Sequence, residues 1–202
     1  MTRFDFEAGH LTLDFANTAD WHASDQPEER LTDYRAVVAW GSEAGLLDDE
    51  MKARYEAMAE EESAAAAAHE RALLLREVVY RVFAAVADGR EPAQEDLDLL
   101  RLFLQISLHD ASLAVGEGGF DWVWSVGEEE LAAVLGPVAQ QGVELLRSGE
   151  LERVGQCADD RGCGWLFYDH SRNKSRRWCS MESCGNRAKA MRYYERTQEE
   201  EG

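Results

Sequence analysis

Cys157, Cys163, Cys179 and Cys184 are the only cysteines in a chain of 202 residues, and all four fall within 28 residues near its C-terminal end. They form two pairs, Cys157-x5-Cys163 and Cys179-x4-Cys184, separated by fifteen residues. Each pair is close enough in sequence for one turn to aim both sulfurs at a single ion. In a reducing compartment such a cluster holds a metal more readily than it forms two disulfides. Thiolates in a tetrahedral array are the donor set Zn²⁺ prefers, and metal binding then becomes folding free energy for a segment too short to build its own core. The intervals are looser than the C-x2-C pairs of common zinc fingers, so spacing alone leaves four ordinary thiols as the alternative. His170 is a substitute ligand in a turn between the pairs.

Four thiolate ligands close the coordination shell, leaving no position for water or substrate, and no nucleophile motif or phosphate-binding loop is present. The expectation is therefore a protein that is not an enzyme. Charge points toward a partner. The net charge is -19, which by itself disfavours nucleic acid. From Ser171 to Arg196, however, eight Lys/Arg face two Glu, about +6, leaving about -25 on the remainder. The chain has one basic end and one acidic body. The basic end supplies Arg172, Lys174, Arg176, Arg177, Arg187, Lys189 and Arg192 as candidate DNA contacts. Arg187, next to the last ligand pair, could equally hydrogen-bond the metal shell.

These residues need elements to hold them. Gly164 to Asp169 reads as a strand, Ser171 to Lys174 as a turn, and Arg176-Arg177-Trp178 as the return, which predicts a β-hairpin over the metal. From Ser180 the chain turns helical, with Ala188, Met191 and Tyr194 on an inward stripe and Lys189, Arg192 and Arg196 on another face. Upstream the sequence is mainly α. Residues 11–17 read as a short helix, and Asp33 caps a helix over 34–44 that Gly45 terminates. One long helical region spans 48–87, including five alanines at 64–68 and the apolar stripe of Leu75, Val78, Val79, Val82, Phe83 and Val86. Helix resumes over 94–108. Residues 111–115 and 120–124 form a small β-hairpin around Gly-Glu-Gly-Gly, with Trp122 and Trp124 in its core. Glu128 to Arg147 is helical, with glutamates 128–130 in its first turn and a kink or split at Gly136-Pro137. A boundary near residue 150 divides an N-terminal helical domain, 1–150, from a zinc module, 151–202. Asp14, Asn17, Asp20, Trp21 and His22 cluster early; Asp14, Asn17 and Trp21 are candidates for a small-molecule effector site, against the simpler reading of caps, turns and a core Trp21. Neither a signal peptide nor an apolar run long enough for a membrane span occurs, which predicts a cytoplasmic protein.

Cys184-Gly185-Asn186-Arg187 is the four-residue signature of the CGNR zinc-finger proteins of bacteria, and the surrounding segment resembles them further. Cys163-Gly164-Trp165-Leu166-Phe167, Asp169-x-Ser171-Arg172-Asn173 and Arg176-Arg177-Trp178-Cys179-Ser180 extend the similarity over about thirty residues. Leu13-Asp14-Phe15-Ala16-Asn17-Thr18 resembles the motif that begins the helical ABATE domain of the same proteins, with Ala16 where valine or a similar residue is usual. The resemblance implies bound zinc, four cysteine ligands and a stress-linked transcription regulator that contacts DNA. The alternative is a zinc-stabilised protein-interaction or dimerisation module, built on Trp165, Phe167 and Tyr193. A homodimer would suit either, since a single short finger offers few contacts.

Overall fold

A computed structural model of the chain describes residues 4–116, 119–124 and 131–201. Its centre is a 26-residue helix, α4 (Glu62–Ala87), whose Leu75, Val78, Val79, Val82 and Phe83 are fully buried. Around it pack α1 (Leu11–Ala16), α2 (Tyr34–Glu43), α5 (Gln94–Ser107) and α6 (Ala132–Arg147). Asp33 Oδ1 accepts from Ala36 N at 2.8 Å to cap α2, and Gly45, at φ +75°, ends the helical path.

The long helical region is two helices. α3 (Asp49–Met58), capped by Asp48, stops before a break at 59–61, where Glu61 has ψ 85°. The break lets α3 turn its one buried residue, Tyr55, onto the core, and the Tyr55 hydroxyl accepts from Ala133 N, an otherwise unpaired donor in the first turn of α6. α4 then starts afresh, with Ala65, Ala68 and Ala72 buried.

β3 (Ala111–Gly116) and β4 (Gly119–Trp124) form the expected antiparallel hairpin. Trp124 is buried and donates to Ser107 O at 3.0 Å, but Trp122 is 41% exposed and lies outside the core. Gly136 and Pro137 neither split α6 nor end it: the helix runs through both. Gly136 lies under the Trp124 indole, where an added Cβ would approach Nε1 to 2.3 Å, so this glycine serves helix-to-hairpin contact. Glutamates 128–130 and the hairpin residues 117 and 118 lie outside the described residues.

One small ribbon has no counterpart in the sequence reading. β1 (Ala19–Asp20) pairs with β2 (Glu28–Glu29), and the loop between them carries Trp21 and His22. No helix among the described residues is long and apolar enough to cross a membrane.

The body's core continues past residue 150. Val154 and Leu166 belong to the same apolar cluster as α1, α4 and α6. They lie on β5 (Val154–Gln156) and β6 (Leu166–Tyr168), which pair antiparallel. The hairpin is therefore present, but the partner of the 166–168 strand is the segment before Cys157, not Arg176-Arg177-Trp178. The reason is steric and local: Gly155 leaves room for the Phe167 ring, which an added Cβ would meet at 2.6 Å, while the 171–178 segment is held as a loop by Asp169. Tyr168 N donates to Ala8 O at 2.7 Å, and the Asn17 amide both donates to Leu166 O at 2.9 Å and accepts from Leu166 N at 2.8 Å.

Candidate metal centre and nucleic-acid interface

Cys157 directly follows β5, and its N–H extends the ladder by donating to Trp165 O at 2.8 Å. The chain then loops back through Gly162 (φ +91°) and Gly164 (φ +71°), which flank Cys163 in the left-handed region. No side chain fits at either glycine, because an added Cβ would come within 2.8 Å of Ser24 and 2.6 Å of Ala23. The loop after β1 is laid directly on this turn, with His22 N donating to Cys163 O and Ala23 N to Gly162 O. Cys179 arrives on the 171–178 loop. Cys184 sits in a wide turn, residues 181–185, that Ser180 caps and that opens into α7 (Asn186–Glu201).

All four thiols are buried, and their sulfurs lie within 4.8 Å of one another, with Cys163 to Cys179 and Cys179 to Cys184 both at 3.6 Å. A tetrahedral ion with Zn–S bonds of about 2.3 Å separates neighbouring sulfurs by about 3.8 Å, so the donor set fits zinc. The electrostatics agree. Hydrogen bonds from Cys163 and Cys179 pull the Cys157 thiol down, whereas the bond to Cys157 pushes Cys163 up, the bonds to Cys157 and Cys163 push Cys179 up, and burial pushes Cys184 up. One thiolate forms easily here and the others resist; a dication removes that resistance.

Around the sulfurs stand Trp21, Trp165 and Trp178. Trp165 is pinned by its Nε1 to Ala19 O at 3.1 Å. Trp21, at φ +55°, is half-buried against the cysteine cluster instead of in the body's core, with the guanidinium groups of Arg187 and Arg161 over its ring at 4.9 and 5.6 Å. Arg187 donates to Cys184 Sγ at 2.9 Å and lies 3.5 Å from Asp159. Asp159 also accepts from the Arg161 fork at 3.0 and 2.8 Å, and these bonds hold its carboxyl well below the usual range. Two arginines and one aspartate together add one positive charge, which offsets part of the two negative charges that four thiolates around a dication carry.

The chain matches the ABATE family, described as "Putative stress-induced transcription regulator", over residues 9–149, and the CGNR zinc finger over residues 153–197. It is an ABATE protein with a C-terminal CGNR zinc finger. Zn²⁺ is the cofactor of the four-cysteine site. A search of curated proteins returns no match.

The seven candidate DNA contacts of the CGNR finger fall into three groups. Arg176 and Arg187 turn inward. The Arg176 guanidinium donates to Glu7 O at 2.8 Å, Trp178 O at 3.1 Å and Cys179 O, and it covers the Phe167 ring at 4.6 Å. It therefore ties the body's N-terminal segment to a metal ligand. Lys174 is engaged by Glu152 at 2.6 Å. Arg172, Arg177, Lys189 and Arg192 are exposed. Arg177 and Arg192 both lie over the Trp178 ring, at 5.2 and 5.9 Å. The expected inward stripe of α7 is absent: Met191 and Tyr194 are exposed, and α7 packs mainly on the 181–185 turn.

His170 Nε2 bonds Gly9 O at 3.0 Å and stays outside the metal cluster. Asp14 and Asn17 are engaged internally, Asp14 Oδ1 accepting from Ala8 N at 2.8 Å and Asn17 holding Leu166. Of the three effector candidates, only Trp21 faces open space, a cleft of about 390 Å³ shared with Asp20, Trp165 and Arg187. Sequence reasoning missed Asp159 and Arg161, although an acid and a base between two ligands are a usable signal. It also missed the 21–24 loop, whose contact with Cys163 spans most of the chain length.

Proposed function

We propose that this protein is a non-enzymatic, cytoplasmic transcription regulator whose CGNR finger binds DNA through Arg172, Arg177, Lys189 and Arg192. The observation that carries this reading is the sorting of cations: two arginines stay on the metal centre and its loop, and four basic side chains are left at the surface, two of them beside an aromatic ring. Exposed guanidinium groups on an aromatic plane suit contact with a phosphate backbone. The acidic body cannot serve the same purpose, because its charge repels DNA. Phosphate contacts position the finger; base reading falls to the exposed face of α7. The cleft beside Trp21 is where a small-molecule effector would touch body and finger together. Affinity for duplex DNA titrated against salt tests the DNA reading, and absence of binding at low salt ends it.

A second reading has its own observation. Tyr193 and Tyr194 on α7 are 60% and 66% exposed, which fits a finger that binds protein instead of DNA. Of Trp165, Phe167 and Tyr193, only Tyr193 is open to such a partner, since Phe167 is buried and Trp165 packs on the cysteines.

A further inference from the structure

The register of β3 and β4 places Ala111 opposite Trp124, Leu113 opposite Trp122, and Val115 opposite Phe120, so all six side chains share one face of the hairpin. The first pair is at the body, where Trp124 is buried. The other two pairs extend beyond it: Leu113 is 58% exposed, Trp122 41%, Val115 83% and Phe120 72%. Among the described residues no charge interrupts this face, and the hairpin's Asp121 lies on the opposite one, over Gly116. A contiguous apolar surface of this kind marks an interaction site.

We propose that this face is a homodimer interface, and that the occupant is the same hairpin of a second copy. Three features select a second copy. First, the four exposed side chains leave roughly 500 Å² open, so two copies cover about 1,000 Å², the size at which a specific interface becomes credible. Second, the face is self-complementary. A two-fold axis running along the hairpin lays β4 of one copy over β3 of the other, so that Trp122 and Phe120 meet Leu113 and Val115 in both directions. Third, the bodies, residues 1–150, carry about -20 each, and an uncharged face is the surface on which two such bodies can meet. This assignment does not rest on DNA binding, and the two respond oppositely to salt: the apolar contact persists or tightens, whereas phosphate contacts weaken.

Sedimentation equilibrium of the zinc-loaded full chain, without DNA, from about 1 to about 100 μM tests it. The expected result is a species of twice the 22.7 kDa chain mass that strengthens with salt. Val115→Asp with Phe120→Asp should weaken the dimer by roughly 100-fold or more while zinc content and helical signal stay unchanged. Should that pair fail to fold, Phe120→Ser alone should weaken it by roughly 10-fold. Tyr193→Ser with Tyr194→Ser should leave the dimer intact. A wild-type chain that stays monomeric, association that continues past two copies, a dimer indifferent to Phe120, or one broken by the tyrosine changes would overturn the proposal.

Discussion

The helical body and the finger solve the same problem with different materials. The body is centred on α4, whose Leu75, Val79, Val82 and Phe83 are fully buried together with Phe15 of α1 and Trp40 of α2, and apolar burial supplies its cohesion. The finger owns few such residues. Val154 and Leu166 join the body's core, so the finger's own centre consists of four sulfurs under Trp165, Trp178 and the body's Trp21. The difference teaches where each half is vulnerable: the body should tolerate loss of the metal, and the finger should not.

Chelation with a strong zinc ligand should give the largest effect. Structural zinc contributes on the order of 10 kcal/mol in comparable modules, so the 157–201 segment should lose amide protection from exchange while the α4 amides keep theirs. Simultaneous loss of protection in both halves would show that the metal supports the body as well. Arg176→Ala comes next. Removing a guanidinium shared among four carbonyls, those of Glu7, Tyr168, Trp178 and Cys179, should cost about 2 kcal/mol and weaken zinc binding roughly 10-fold or more. Arg176→Lys should rescue little, because one ammonium cannot span the same acceptors. Arg177→Ala, one residue on, should leave both quantities within about 0.5 kcal/mol of wild type.

The smallest effect concerns Asp14, on the body's side of the junction. Burial raises its carboxyl to about 6, against the lowering effects of the Ala8 hydrogen bond and Arg176. The native state therefore favours the protonated form. The associated stability is fully present below the unfolded value of 3.8 and is lost as pH rises through about 6. Wild type should gain on the order of 1 kcal/mol from this group between pH 8 and pH 5, and Asp14→Asn should lack that gain in urea unfolding of the zinc-loaded chain. Equal pH dependence in both proteins would remove Asp14 from the account.

The pair Arg176 and Arg177 shows what the sequence could and could not convey. The ligands were legible because cysteine is rare in this chain and all four lie together, and the helices were legible from caps and apolar period. Adjacent arginines, by contrast, are identical as letters; only the loop fixed by Asp169 turns one inward and leaves the other outside. β5 was hidden for a related reason. Val-Gly-Gln has no strand signature, since its glycine exists to admit the Phe167 ring from the partner strand. Trp21 read as a core residue of the body because its actual neighbours, the cysteines, lie more than a hundred residues away. The break within 48–87 escaped notice because residues 59–61 are ordinary helix formers, and the turn there follows from docking Tyr55.

The outward group of cations is the centre of the functional account, and salt-titrated DNA affinity measures it most directly. For wild type, four phosphate contacts predict that log K falls against log salt with a slope of about -3 to -4. Arg177→Ala with Arg192→Ala should reduce that slope by about 2 with zinc content and fold retained. A slope near zero, no binding at low salt, or an unchanged slope in the double variant would contradict the account.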